Sequence, residues 1–127
     1  MTPSVTVFFV GLFALAQVPV TMMVGLRRIQ TGVRFLEGGD EVLLRRMRVH
    51  GNFTETVPMA LVAMAAAEIA GAPGWALWSG GLSLAIGRVT HGFVLLRAGW
   101  GNGRAIGMVL TLLPMAGFGA YAVYSAL

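Results

Sequence analysis

The sequence predicts an all-α integral membrane protein, a four-helix bundle of four spans forming one domain over residues 1–127, and three observations predict it. The chain is 57% hydrophobic and only 11% charged, far from an ordinary water-soluble domain. Its long apolar stretches are separated by short breaks rich in glycine, proline or arginine. Its nine basic residues are all arginines and lie mainly at two of those breaks. Four spans of about 20 residues use nearly all of the length, which leaves no room for a separate soluble domain.

The first span is expected over Val5–Leu26, which is apolar and uncharged and is interrupted only by Gln17, Pro19 and a few Thr and Gly residues. A secretory signal needs a basic start and a shorter apolar core, so this segment is expected to be retained. Pro19 is expected to kink it, and Gln17, Thr21 and Arg28 share a face that could look into the bundle. Arg27–Gly39 reads as a polar connection, with Gly38-Gly39 as the break and Asp40 as the N-cap of the second helix. That helix continues through Pro58 to Ala70 and ends at Gly71-Ala-Pro-Gly74. The third span is expected from about Trp75 to Leu96, and the fourth from about Arg104 to Leu127 with Pro114 inside it and Asn102 as a cap.

The densest polar pattern is Arg45 to Pro58, at the start of the second helix. At 3.6 residues per turn, Arg45, Arg48, Asn52 and Glu55 fall on one stripe, while Arg46 and His50 fall on a second. One helix can therefore present polar groups to two neighbours. In the third span, Arg88 and His91 are three apart and share a face. Charges inside a membrane are costly and normally face a partner or a cavity. Counting inward from the interface puts Glu55 about 10 Å deep and Arg88 about 15 Å deep, so the two could meet directly or through a ligand.

Arginine placement sets the expected topology. The first and third connections are basic and the second is not, so both basic connections face the cytoplasm and both termini face outward. Trp75 and Trp78 mark one interface and Trp100 the other. The net charge of +4 suits anionic headgroups or an anionic small molecule, and no soluble basic surface is present for nucleic acid. With no cysteine, any thiol chemistry must arrive with a ligand.

Plainer readings stand beside these. Arg45, Arg46 and Arg48 could be headgroup anchors, and Glu55 with Arg88 a structural ion pair. His50 and His91 lack further ligands at metal spacing, so no metal is expected. Glu68 reads as interfacial. Asn52-Phe-Thr54 matches a glycosylation sequon by chance, and Gly99–Gly103 lacks the strand that a dinucleotide fingerprint needs.

The pattern Arg48-x-x-x-Asn52-x-x-Glu55-x-x-Pro58 on the second of four spans, together with Arg88-x-x-His91 and Arg104, resembles the membrane-associated proteins in eicosanoid and glutathione metabolism (MAPEG). The resemblance covers essentially the whole chain and is nearest to small bacterial members similar to microsomal glutathione transferases. It implies a homotrimer, with glutathione bound between subunits near the cytoplasmic side. Arg48, Asn52 and Glu55 would hold the tripeptide from one subunit, Arg27 and His50 would reach it from the next, and Arg88 and His91 would add to the site. Arg104 would stabilise the thiolate. Thr56 departs from the pattern, standing where many relatives place an aromatic residue.

Glutathione's two carboxylates suit forked arginine contacts, and its ammonium suits Glu55. Its thiol has an unperturbed pKa of about 8.5, which a nearby arginine would lower. The implied activity is a glutathione-dependent transferase or peroxidase acting on lipophilic electrophiles or hydroperoxides dissolved in membrane lipids. The alternative is a non-catalytic membrane protein that binds an anionic lipid or thiol in the same cleft. A proton-coupled exporter is disfavoured, because the first span carries no acid.

Overall fold

The computed structural model describes residues 3–127. It contains four helices: α1 (Ser4–Thr31), α2 (Glu41–Ile69), α3 (Gly74–Ala98) and α4 (Asn102–Ala126). Pro19, Pro58 and Pro114 all lie inside continuous helices.

The first helix runs five residues beyond the expected Leu26, through Arg27 and Arg28 to Thr31. Two polar ties make the extension possible. Arg27 reaches Asp40 with a 2.7 Å contact, and Arg28 donates to the carbonyl oxygens of Val33 and Leu36. Gly32 then ends the helix in the left-handed region at φ 71°, with its N–H bonded to Arg28 O at 2.8 Å. Glycine adopts this conformation without the Cβ penalty. The second helix starts where expected, because the Asp40 side chain accepts from Leu43 N at 2.6 Å. The expected cap of the last helix is corrected: Asn102 is its first helical residue and Gly101 holds the cap position, with no side-chain capping bond.

The core is a stripe of aromatic and aliphatic side chains along the bundle axis. Phe9 and Phe13 from α1 meet Phe53, Val57 and Met64 from α2, Leu77 and Leu84 from α3, and Phe118 from α4. Because Phe9 and Phe13 take the core face of α1, the Gln17–Thr21 pair faces away from this chain's core, its 2.8 Å hydrogen bond exposed.

Helices α3 and α4 pack backbone to backbone. A Cβ at Gly107 would lie 2.7 Å from Gly87 O and from His91 Cβ, and one at Gly87 would lie 2.8 Å from Gly107 O. Small residues permit this approach, which matters in lipid, where van der Waals contact replaces the hydrophobic drive between helices. Glu68, read from sequence as interfacial, acts as a clasp. Its carboxylate accepts from Val5 N at 2.9 Å and Thr6 N at 2.7 Å, satisfying two N–H groups that the start of α1 leaves without intrahelical partners.

The outer surface is apolar to a degree that water would not tolerate: Leu15, Ile29 and Val89 are each more than 70% exposed. Both α1 and α4 are long and apolar enough to cross a membrane by themselves. Apart from Glu68, the charged positions of α2 and α3 are gathered toward the end that holds the connections 32–40 and 99–101.

Candidate functional site

A cleft of about 740 Å³ opens at the arginine-rich end between α2, α3 and α4. Arg48, Asn52 and Glu55 enter it from one face of α2, His91 from α3, and Arg104 from the first turn of α4. The three-four-three spacing on α2 is what places its contributors on one wall. Glu41 and Arg45 sit at the mouth, 3.5 Å apart.

The charged groups around the cleft divide into two sets. Arg45 donates to Arg97 O at 3.2 Å, tying the start of α2 to the end of α3, and Arg46 donates to Met23 O at 2.8 Å, tying α2 to α1. These arginines hold helices together. Arg48, Glu55 and Arg104 make no ion pair and no side-chain hydrogen bond among the described residues. Arg104 instead stacks its guanidinium over the Trp100 ring, 4.8 Å from the centroid, leaving its N–H edges free to donate. The cleft therefore holds unpaired groups of both signs at fixed separations along one helix. It can take a ligand that itself carries both anionic and cationic groups.

Beneath the cleft, Arg88 is buried at 8% exposure. It donates to Thr111 Oγ1 at 2.9 Å, to Asn52 Oδ1, to Thr56 Oγ1 at 3.3 Å and to Met108 Sδ at 3.4 Å. Every one of these acceptors is neutral, and no carboxylate pairs with Arg88 among the described residues. The direct Glu55–Arg88 contact that sequence depth allowed is not made. Glu55 is exposed and points into the cleft while Arg88 lies under Asn52.

The remaining candidates lie on another side. Arg27 binds Asp40 through Nε and Nη2. The Asp40 carboxyl is held below its ordinary pKa by that Arg27 contact first and by the Leu43 amide second. His50 is half-buried on the stripe of Arg46, which faces α1. Neither lines the cleft of its own chain. Sequence reasoning did not single out Thr111. Its signal was a hydroxyl inside an otherwise apolar span, too common a feature to mark it.

Four helices with an apolar exterior and a charged cleft at one end define a polytopic helical membrane protein. A profile of the MAPEG family matches residues 6–124, and the chain belongs to that family, membrane-integral proteins of eicosanoid and glutathione metabolism. Among curated proteins, Inner membrane protein YecN of Escherichia coli strain K12 is 38% identical over 64 residues, 50% of this chain and 49% of the relative. The same protein from Escherichia coli O6:H1 matches to the same extent. The matched segment thus spans about half the length of these relatives. No solved structure matches.

Proposed function

We propose that this protein binds glutathione in the cleft at its arginine-rich end and activates the thiol for attack on lipophilic electrophiles or hydroperoxides. The observation that carries the reading is the convergence of Arg48, Asn52, Glu55, His91 and Arg104, from three helices, on one cleft. Arg48 suits a glutathione carboxylate, Glu55 its ammonium, and Arg104 the developing thiolate, because its guanidinium is unpaired and steadied by Trp100. The apolar walls of the bundle let a substrate dissolved in the membrane approach laterally. The inner-membrane placement of YecN supports the same compartment for this chain, with the site on the cytoplasmic side.

In this reading the assembly is a homotrimer. His50 and Arg27, which face away from their own cleft, contribute to that of a neighbour. The Arg27–Asp40 contact uses Nε and Nη2, so Nη1 is left to donate across the interface.

A second reading, non-catalytic binding of an anionic lipid or thiol, is favoured by one feature. Trp100 is 76% exposed beside Arg104, an arrangement that also suits a headgroup at the membrane surface.

Mixing purified protein with glutathione at neutral pH and reading thiolate absorbance tests both. The expected outcome is a thiolate signal in the wild type that is lost in Arg104→Ala, with weaker glutathione binding in Glu55→Gln. Calorimetric binding without thiolate selects the second reading. Neither signal rejects glutathione as the ligand.

A further inference from the structure

Arg88 is a buried cation with no anion beside it among the described residues, and the groups around it are oriented by bonds of their own. The Thr111 hydroxyl donates to Gly107 O at 2.8 Å, so only its lone pairs face the Arg88 Nε–H. The Thr56 hydroxyl donates to Asn52 O at 2.8 Å, so its lone pairs also face the guanidinium. A guanidinium is a donor only, so the atom of the Asn52 carboxamide that meets Arg88 must be the oxygen. The amide nitrogen is thereby turned away from Arg88, and Asn52 lines the cleft.

We propose that Arg88 is a positioning residue that locks the Asn52 carboxamide with its NH2 toward the cleft, so that this subsite accepts only a hydrogen-bond acceptor, a carboxylate or peptide carbonyl. Without Arg88 the carboxamide can present either end, and the subsite loses its polarity. The cleft wall then reads, from mouth to depth, as donors at Arg48 and Asn52 followed by an acceptor one turn further at Glu55. A ligand must match that order with an acidic or carbonyl group nearer the mouth and an ammonium nearer Glu55. The ligand arm of the test rests on glutathione being bound, whereas the orientation of Asn52 can be read without it.

The discriminating variant is Asn52→Asp. It gives Arg88 a counter-charge and offers the cleft an acceptor in place of a donor. Thermal unfolding in detergent and calorimetric titration with glutathione are measured for the wild type, Asn52→Asp, Asn52→Ala, Arg88→Met and Asn52→Ala/Arg88→Met. The expected result is a melting temperature for Asn52→Asp at or above the wild type, with glutathione bound at least about tenfold more weakly. Arg88→Met is expected to weaken binding about tenfold alone and to add nothing in the Asn52→Ala background, as required of a residue that acts through Asn52. Wild-type affinity in Asn52→Asp, or additive losses in the double variant, overturns the proposal.

The ligand-independent readout is the side-chain NH2 signal of selectively 15N-labelled asparagine. The chain has only Asn52 and Asn102, and Asn52→Ala assigns the pair. In Arg88→Met the Asn52 signal is expected to shift while that of Asn102 stays, and an unmoved Asn52 signal overturns the proposal. If glutathione fails to bind the wild type while this shift is seen, the glutathione reading falls and the positioning role stands.

Discussion

Asp40 combines two jobs in one carboxylate, capping α2 through Leu43 N and gripping Arg27 with two bonds of 3.1 and 2.7 Å. Its folded pKa is lowered, first by Arg27 and then by the backbone bond, so folding favours the ionised form. The stabilisation is therefore complete above the unfolded carboxyl pKa of about 3.9 and is lost as pH falls through the lowered folded value. Asp40→Asn keeps an acceptor for Leu43 N and removes the charge. At pH 7 the variant is expected to melt below the wild type in detergent, and the gap is expected to close as pH falls below about 4. A gap independent of pH would mean that the charge contributes nothing. His50 and Arg104 illustrate the limit of single-residue reading: their residue types suggested chemistry, but their neighbours decided which of them lines the chain's own cleft.

Between elements, the α3–α4 seam governs the depth of the site. Gly87 and Gly107 bring the two backbones together, and from that contact Thr111 reaches Arg88 while His91 faces the cleft. Gly107→Ala places a methyl group against Gly87 O and the backbone and Cβ of His91, none of which is the far end of a flexible side chain. The seam must open, at a cost of about 1–3 kcal/mol, the usual range for overpacking. Thermal unfolding is expected to fall accordingly. Gly117→Ala, where an added Cβ meets nothing within 4 Å, is expected to leave the melting temperature unchanged or raise it, because alanine favours a helix over glycine, and serves as the control. An equal fall at both positions would show that the seam contact is not responsible, since helix propensity alone favours alanine over glycine.

Across the whole molecule, charge asymmetry and the apolar exterior orient the bundle. The connection at 32–40 carries Arg34 at the arginine-rich end, whereas the connection at 70–73 carries no charge. Because the chain has no cysteine, single introduced thiols report topology without background. In intact cells a membrane-impermeant maleimide is expected to label Ala70→Cys and to leave Arg34→Cys unmodified until the membrane is permeabilised. The reverse pattern would place the cleft outside and remove the cytoplasmic glutathione supply on which the proposed activity depends.

The sequence by itself determined the four helices, the start of α2 at Asp40 and the break before Gly74. These depend on hydropathy over about 20 residues and on local capping, which are properties of contiguous chain. It also placed Arg48, Asn52 and Glu55 on one face, because helical periodicity is local arithmetic. The end of α1 was not legible, since Arg27 and Arg28 continue the helix only by bonding to groups that the following connection brings back to them. Nor was the set of Arg88 partners. Depth along the membrane made Glu55 a plausible neighbour, but depth leaves out the rotation of each helix about its axis. The close approach of Gly87 to Gly107 brings Thr111 to the Arg88 guanidinium, and the facing turn of α2 supplies Asn52 and Thr56. Which acceptors a long, flexible cation finds depends on the offset and rotation of three packed helices, and only the tertiary structure decided that.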